Sequence, residues 1–125
     1  ISKSDIDKDY NSALKFCIEN INSISICAGT HNEQSSLYLT ELMKDAELGN
    51  DDSRIYFAQL LGMSDHISFN LSKDGYNVAK YVPYGPIKEV LPYLIRRAEE
   101  NTSVSGQTGR ELLLIQKEIK RRKLG

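Results

Sequence analysis

The sequence predicts an α/β fold with three parallel strands and the helices that cover them. Three observations carry this expectation. Helix-period and strand-like segments alternate along the chain, the pattern of parallel strands joined by crossover helices. The middle strand segment, Arg54 to Leu61 (RIYFAQLL), is nearly continuous apolar sequence, which suits a strand covered on both faces. The composition, 40% hydrophobic and 26% charged over 125 residues, is that of a folded globular domain and not of a disordered chain. Three strands cannot close a barrel. A (β/α)8 barrel takes about 250 residues, so the chain holds half of one at most.

Residues 1–9 are polar and charged, and a helical pattern starts at Tyr10, with Leu14, Cys17, Ile18 and Ile21 at spacings of three and four. Ser23 to Gly29 (SISICAG) reads as a short strand. Asn32 is a good helix N-cap with Glu33 in the first turn. The second helix is expected over Glu33 to Asp45, burying Leu37, Leu39, Leu42 and Met43. Glu47 to Ser53 is a loop by composition, and Arg54 to Leu61 is the second strand. Gly62-Met63 turns the chain into a short helix over Asp65 to Leu71. After the turn at Lys73-Asp74-Gly75 comes a third strand, Tyr76 to Val82. Pro83-Tyr84-Gly85-Pro86 punctuates its end, and Pro86 suits a first helical turn. The longest helix should span Ile87 to Asn101, Thr102 to Gly109 reads as a linker, and Arg110 to Arg122 as a final amphipathic helix.

Several function classes drop out on composition. Sixteen basic and 17 acidic side chains give a net charge of −1, which lacks the basic field of a general nucleic-acid binder. No apolar run approaches the roughly 20 residues that cross a bilayer, and no secretory signal is visible. Cys17 and Cys27 are too few for a disulfide scaffold or zinc site, and both read as buried reduced thiols. Neither cysteines nor histidines have metal-ligand spacing, and no GxGxxG or P-loop pattern occurs. The first residue is Ile1 and not Met, and the chain reads as a trimmed piece of a longer one.

Two groups of residues carry candidate chemistry. Parallel α/β folds bind ligands at the carboxyl ends of their strands. Thr30-His31-Asn32, Leu60 to Met63 and Tyr81 to Gly85 all fall there. A hydroxyl, an imidazole and a phenol on one edge make a binding site; equally, Thr30 and Asn32 are caps, His31 a surface histidine and Tyr81 a core residue. The second group lies on the long helix. At about 100° per residue, Tyr93, Arg96, Arg97 and Glu100 fall within an arc of about 100°, opposite Ile87, Leu91, Leu94, Ile95 and Ala98. Adjacent guanidiniums can grip a carboxylate or phosphate through bidentate hydrogen bonds, with Glu100 holding their geometry. The same spacing also describes a solvated face with an i,i+4 ion pair. Lys120-Arg121-Arg122-Lys123 invites a nucleic-acid or membrane reading, but cations at a helix C-terminus are also favoured by the dipole. His66, beside Asp65 near a helix start, reads as structural.

Longer motifs then narrow the choice. Thr30-His31-Asn32-Glu33, Phe57-Ala58-Gln59-Leu60-Leu61-Gly62-Met63 and, above all, Lys80 to Asn101 (KYVPYGPIKEVLPYLIRRAEEN) resemble the C-terminal part of the proline dehydrogenases. These are flavin-dependent (β/α)8-barrel enzymes that oxidise L-proline. The resemblance runs from about Ser25 to Ser103, and its longest motif, Lys80 to Asn101, passes through a strand, a turn and a helix. It implies the C-terminal portion, three strands with their helices, of a TIM-like barrel over residues 1–109, with 110–125 as a helical tail.

The resemblance also implies roles. Arg96 and Arg97 match the pair that binds the proline carboxylate, and Glu100 supports them. Tyr93 and Tyr81 match tyrosines that wall the proline ring, and Leu60 matches an apolar wall residue. Thr30 and His31 match a pair that contacts FAD. No residue is assigned as a general acid or base, and no metal is implied. Hydride passes from proline to FAD to give Δ1-pyrroline-5-carboxylate, and electrons pass to a membrane quinone. The long helix is expected to be displaced so that its polar face looks into the barrel mouth. The family's early strands supply a lysine, an aspartate and an arginine that nothing here matches. The chain is therefore expected to be the C-terminal section of a larger enzyme. Alone it should bind FAD very weakly and be inactive, and should associate with itself or with the missing N-terminal barrel half. The parent would be cytoplasmic or peripheral on the inner membrane in a bacterium, mitochondrial in a eukaryote. Two rivals remain on sequence grounds: a non-catalytic α/β module taking an acidic ligand on the Arg96/Arg97 face, and a basic-tailed nucleic-acid module.

Overall fold

The computed structural model describes residues 2–103 and 107–123, with side chains other than those of 100–103 and 107–111. In order it contains α1 (Lys3–Glu19), β1 (Ile26–Gly29), α2 (Glu33–Asp45), β2 (Ile55–Leu60), α3 (Asp65–Lys73), β3 (Val78–Tyr81), α4 (Ile87–Ser103) and α5 (Gln107–Lys123). The strands form one sheet in the order β1-β2-β3, and both pairings are parallel. The chain divides into two units, the first running to Val82 and the second starting at Pro83.

In the first unit, α1 begins well before the apolar pattern does. Ser2 Oγ accepts from the Asp5 N–H at 3.2 Å, and the Asp5 carboxylate accepts from the Ser2 N–H at 3.0 Å. This capping box starts the helix at Lys3. The expected start at Tyr10 marks where α1 begins to face the core, not where it begins. At α2 the Asn32 side chain accepts from the N–H groups of Gln34 and Ser35, and the helix ends at Asp45 as expected.

Alternation along the strands sorts the sheet into two unlike faces. On one face Ile26, Ala28, Ile55 and Phe57 pack with Leu14 and Ile18 of α1, Leu39 and Met43 of α2, and Ile67 and Leu71 of α3. Phe57 meets the Tyr76 ring edge-on at 5.5 Å. The register places Cys27 beside Tyr56, Ala58 between Gly29 and Ala79, and Leu60 beside Tyr81 on the other face. That face is open: Tyr56 is 43% and Tyr81 56% exposed.

Three expectations are thereby corrected. β2 is covered on one face, not two. Cys27 lies on the open face and is exposed. Leu37 is exposed, because α2 turns Ser35, Ser36, Leu39 and Met43 inward instead.

In the second unit, α4 continues through Pro92 to Ser103. Of the linker expected over 102–109, residues 102 and 103 belong to α4 and 107–109 to α5; residues 104–106 lie outside the described residues.

Candidate functional site

Because the strands are parallel, their carboxyl ends form one edge of the sheet. Thr30 follows β1 directly. Its N–H donates to the Ala58 carbonyl at 3.3 Å, which continues the ladder one residue beyond the strand. Its Oγ1 accepts from the Asn32 N–H at 3.0 Å, which leaves the hydroxyl hydrogen to donate outward. His31 is half-buried, and its Nδ1 lies 3.0 Å from Ser64 Oγ. Leu60 ends β2, Tyr81 ends β3, and the two are register partners. The Leu61 N–H donates to the Tyr81 carbonyl at 3.0 Å. The structure thus brings Thr30, His31, Leu60 and Tyr81 to one edge.

Below this edge, on the open face, Gly29, Ala58 and Ala79 form a rung of small residues across all three strands. A Cβ built on Gly29 would meet nothing within 4 Å. The edge therefore combines polar donors with a flat, unfilled shelf.

On α4, Arg97 Cζ lies over the Tyr93 ring at 5.5 Å from its centroid. This distance is that of a cation–π contact. The N–H edge is the part that clasps carboxylates. Arg96, the next residue round the helix, is exposed, while Tyr93 and Arg97 are half-buried. Glu100 belongs to α4, but its side chain lies outside the described residues.

Sequence reading missed the residues that hold the edge together. Gln59 is 2% exposed. Its Nε2 donates to the Thr30 carbonyl at 3.3 Å, and its Oε1 accepts from Ser68 Oγ at 2.9 Å. Lys80 Nζ donates to the Met63 carbonyl at 2.8 Å and pairs with Asp65 Oδ1 at 2.7 Å. One signal for Gln59 was available: two and four residues past Phe57 and Ile55, it shares their buried face. His66 lies 3.9 Å from Glu33 across the gap between α3 and α2, in keeping with a structural role. Among the described residues no group of His, Cys, Asp and Glu is placed to hold a metal ion, and no helix is long and apolar enough to cross a membrane.

A parallel sheet with hydroxyl, imidazole and phenol groups gathered at its strand ends defines the broad class of α/β proteins that bind ligands at that edge. A model of the proline dehydrogenase family matches residues 1–110. The chain belongs to the proline dehydrogenase family.

Relatives bear this out. The chain is 45% identical over 123 residues to proline dehydrogenase 1, mitochondrial, of Dictyostelium discoideum, covering 94% of this chain and 22% of that one. It is 39% identical over 124 residues to the carbapenem antibiotics biosynthesis protein CarD of Pectobacterium carotovorum subsp. carotovorum, covering 99% of this chain and 32% of that one. Among solved structures it is similar to proline utilization A (PutA) from Bdellovibrio bacteriovorus inactivated by N-propargylglycine. The TM-score there is 0.71 at 27% identity, over 79% of this chain and 10% of that chain. The chain thus spans between a fifth and a third of the length of these two curated relatives.

Proposed function

We propose that the chain forms the C-terminal section of an FAD-dependent proline dehydrogenase, which oxidises L-proline to Δ1-pyrroline-5-carboxylate and passes electrons to a quinone. The family match over residues 1–110 carries this reading. The likeness to one stretch of PutA supports the finer fold, the last three strands and helices of a (β/α)8 barrel. The mitochondrial name of the Dictyostelium relative supports mitochondrial placement in a eukaryotic parent. In a bacterium we place the parent in the cytoplasm or peripherally on the inner membrane.

The residues present fit a flavin. The Thr30 hydroxyl and the His31 imidazole are hydrogen-bonding groups suited to its polar edge. The Gly29–Ala58–Ala79 rung leaves room beside them for a flat ring. When bound, FAD supplies the acceptor for the hydride leaving the proline carbon next to nitrogen. The protein's part is binding, orientation and exclusion of water.

In this proposal Arg96 and Arg97 grip the substrate carboxylate. The cation–π contact with Tyr93 restrains the Arg97 side chain before substrate arrives, which lowers the ordering cost of binding. Glu100 supports the pair by ion pairing. Tyr93, Tyr81 and Leu60 wall the ring of the imino acid and keep water from the reacting C–H. Thr30 and His31 hold the flavin. The lysine, aspartate and arginine of the family's early strands come from the part of the parent outside this chain, so 1–125 alone holds FAD very weakly and does not turn over.

The test uses the full-length protein that carries this chain. It should be yellow and oxidise proline with a dye acceptor. Arg96→Ala and Arg97→Ala should each keep the flavin spectrum and raise the proline KM about 10- to 100-fold, the loss of hydrogen bonds to a charged group. A colourless parent that ignores proline overturns the reading in favour of a binding module for acidic ligands.

A further inference from the structure

We propose that Ser64 is a positioning residue for His31: its hydroxyl, 3.0 Å from His31 Nδ1, fixes the position and plane of the ring and so sets which edge the imidazole offers to the flavin. The proposal rests on the reading above in which Thr30 and His31 touch FAD.

Ser64 stands where serine ordinarily caps a helix. Ser2 before α1 and Asn32 before α2 both cap through their side chains, from extended backbone. Ser64 before α3 does neither. Its backbone is left-handed, at φ 50 and ψ 41, and its side chain makes no cap bond. Both departures destabilise, and non-glycine residues held at such angles gather at ligand clamps and active sites. Ser64 as a whole is 4% exposed, so its hydroxyl needs a hydrogen-bond partner. The His31 ring, 33 residues away in sequence, supplies one.

The backbone at both ends of this contact is fixed by one buried side chain. The Ser64 carbonyl accepts from the N–H groups of Ile67 at 3.0 Å and Ser68 at 3.2 Å. Ser68 Oγ in turn donates to Gln59, and Gln59 donates to the carbonyl of Thr30. Lys80 holds the next carbonyl back, that of Met63, at 2.8 Å. Thr30 and Ser64 are therefore tied to one another through β2, and His31 is bonded across the space between. A serine hydroxyl can donate to Nδ1 or accept from Nδ1–H, so the contact serves either tautomer; what it fixes is the position and plane of the ring, and with them the direction in which the Nε2 edge points. A histidine pinned in this way needs no reordering when a ligand arrives.

The test again uses the full-length protein, and reads the ring-nitrogen NMR signals of His31 without FAD together with the FAD dissociation constant. The wild type should show a single sharp set of ring signals, that of an imidazole held in one orientation. Ser64→Gly removes the hydroxyl and relieves the positive φ, so its thermal midpoint should match or exceed that of the wild type. A purely structural role for Ser64 would end there. We expect instead broadened His31 ring signals, those of a ring that samples several orientations, and FAD binding about tenfold weaker, the size of one lost hydrogen bond. The double variant Ser64→Gly/His31→Ala should bind FAD no more weakly than His31→Ala, because the serine acts through the histidine. If His31→Ala weakens FAD binding while Ser64→Gly leaves both the ring signals and the affinity unchanged, the role of Ser64 is refuted and the flavin contact stands. If His31→Ala binds FAD as the wild type does, the flavin contact itself is refuted, and this proposal with it.

Discussion

Gln59 shows how much one residue can carry at the edge of a parallel sheet. It sits in an apolar strand, on the face that Ile55 and Phe57 give to the core, and its amide spans from Thr30 to Ser68. Gln59→Leu keeps the volume but deprives the Thr30 carbonyl and the Ser68 hydroxyl of these bonds. Urea unfolding should show a loss of about 1–3 kcal/mol, the cost of leaving buried polar groups unpaired. Asp52 offers a test of a different kind. Side-chain hydrogen bonds from Arg54, then the Arg54 backbone N–H, lower its carboxyl from 3.8 to about 2. A depressed native value stabilises the fold above the ordinary carboxylate range. That share is lost as pH falls from about 3.8 toward 2. Asp52→Asn should therefore lower stability at neutral pH and flatten the acid limb of the midpoint-against-pH curve over that window. Legibility at this scale depended on where the partner lay. The burial of Gln59 could be read from its spacing to Phe57, whereas its bond to Thr30 joins residues 29 apart and exists only once β1 and β2 pair. Ser64 reads in sequence as an ordinary cap, and its bond to His31 is a product of the loop's left-handed turn.

Elements with a side-chain stop or start were legible almost to the residue. α2 runs Glu33–Asp45 because Asn32 offers its carbonyl oxygen to the Gln34 and Ser35 N–H groups at 3.0 and 3.4 Å. Asn32→Ala should cost about 1 kcal/mol in chemical denaturation, while Asn32→Asp, an equally good cap, should cost little. The backbone N–H that Asn32 gives to Thr30 survives both changes, so the edge keeps its geometry. α1 was legible only in part. Apolar spacing reports contact with the core, and the first turns of α1 make none; only Ser2 and Asp5, three residues apart, signal the true start. The strands were read too long, by three residues at the start of β1, by one at each end of β2, and by two at the start and one at the end of β3; around β2 and β3 the flanking residues Arg54, Leu61 and Asn77 still share in the ladder through one backbone group each.

At the scale of the whole chain, the fold class was written in the alternation of elements, but the cover of the sheet was not. RIYFAQLL reads as a strand buried on both sides. Among the described residues of the first unit the side bearing Ile55, Phe57 and Gln59 is buried, whereas Tyr56 stands 43% exposed. Parallel sheets are found with both faces covered, and an open face of Tyr56, Ala58, Leu60 and Tyr81 is the kind of surface that draws a partner. β1 and β3 each also present an unpaired edge among the described strands, a second invitation to associate. The chain spans 22% of the Dictyostelium relative and 10% of the PutA chain, so in a parent of that length there is ample polypeptide to supply the cover. Residues 1–125 expressed alone should then sediment as concentration-dependent oligomers and bind a dye specific for exposed apolar surface. Co-expression with the preceding portion of the parent should abolish both and give FAD a site. Tyr56→Lys on the open face should shift the isolated chain toward monomer without loss of helix signal, because nothing in the core depends on that side chain. A compact, dye-silent monomer of 1–125 would mean that the open face is not what drives association, and that the cover proposed for it is not needed.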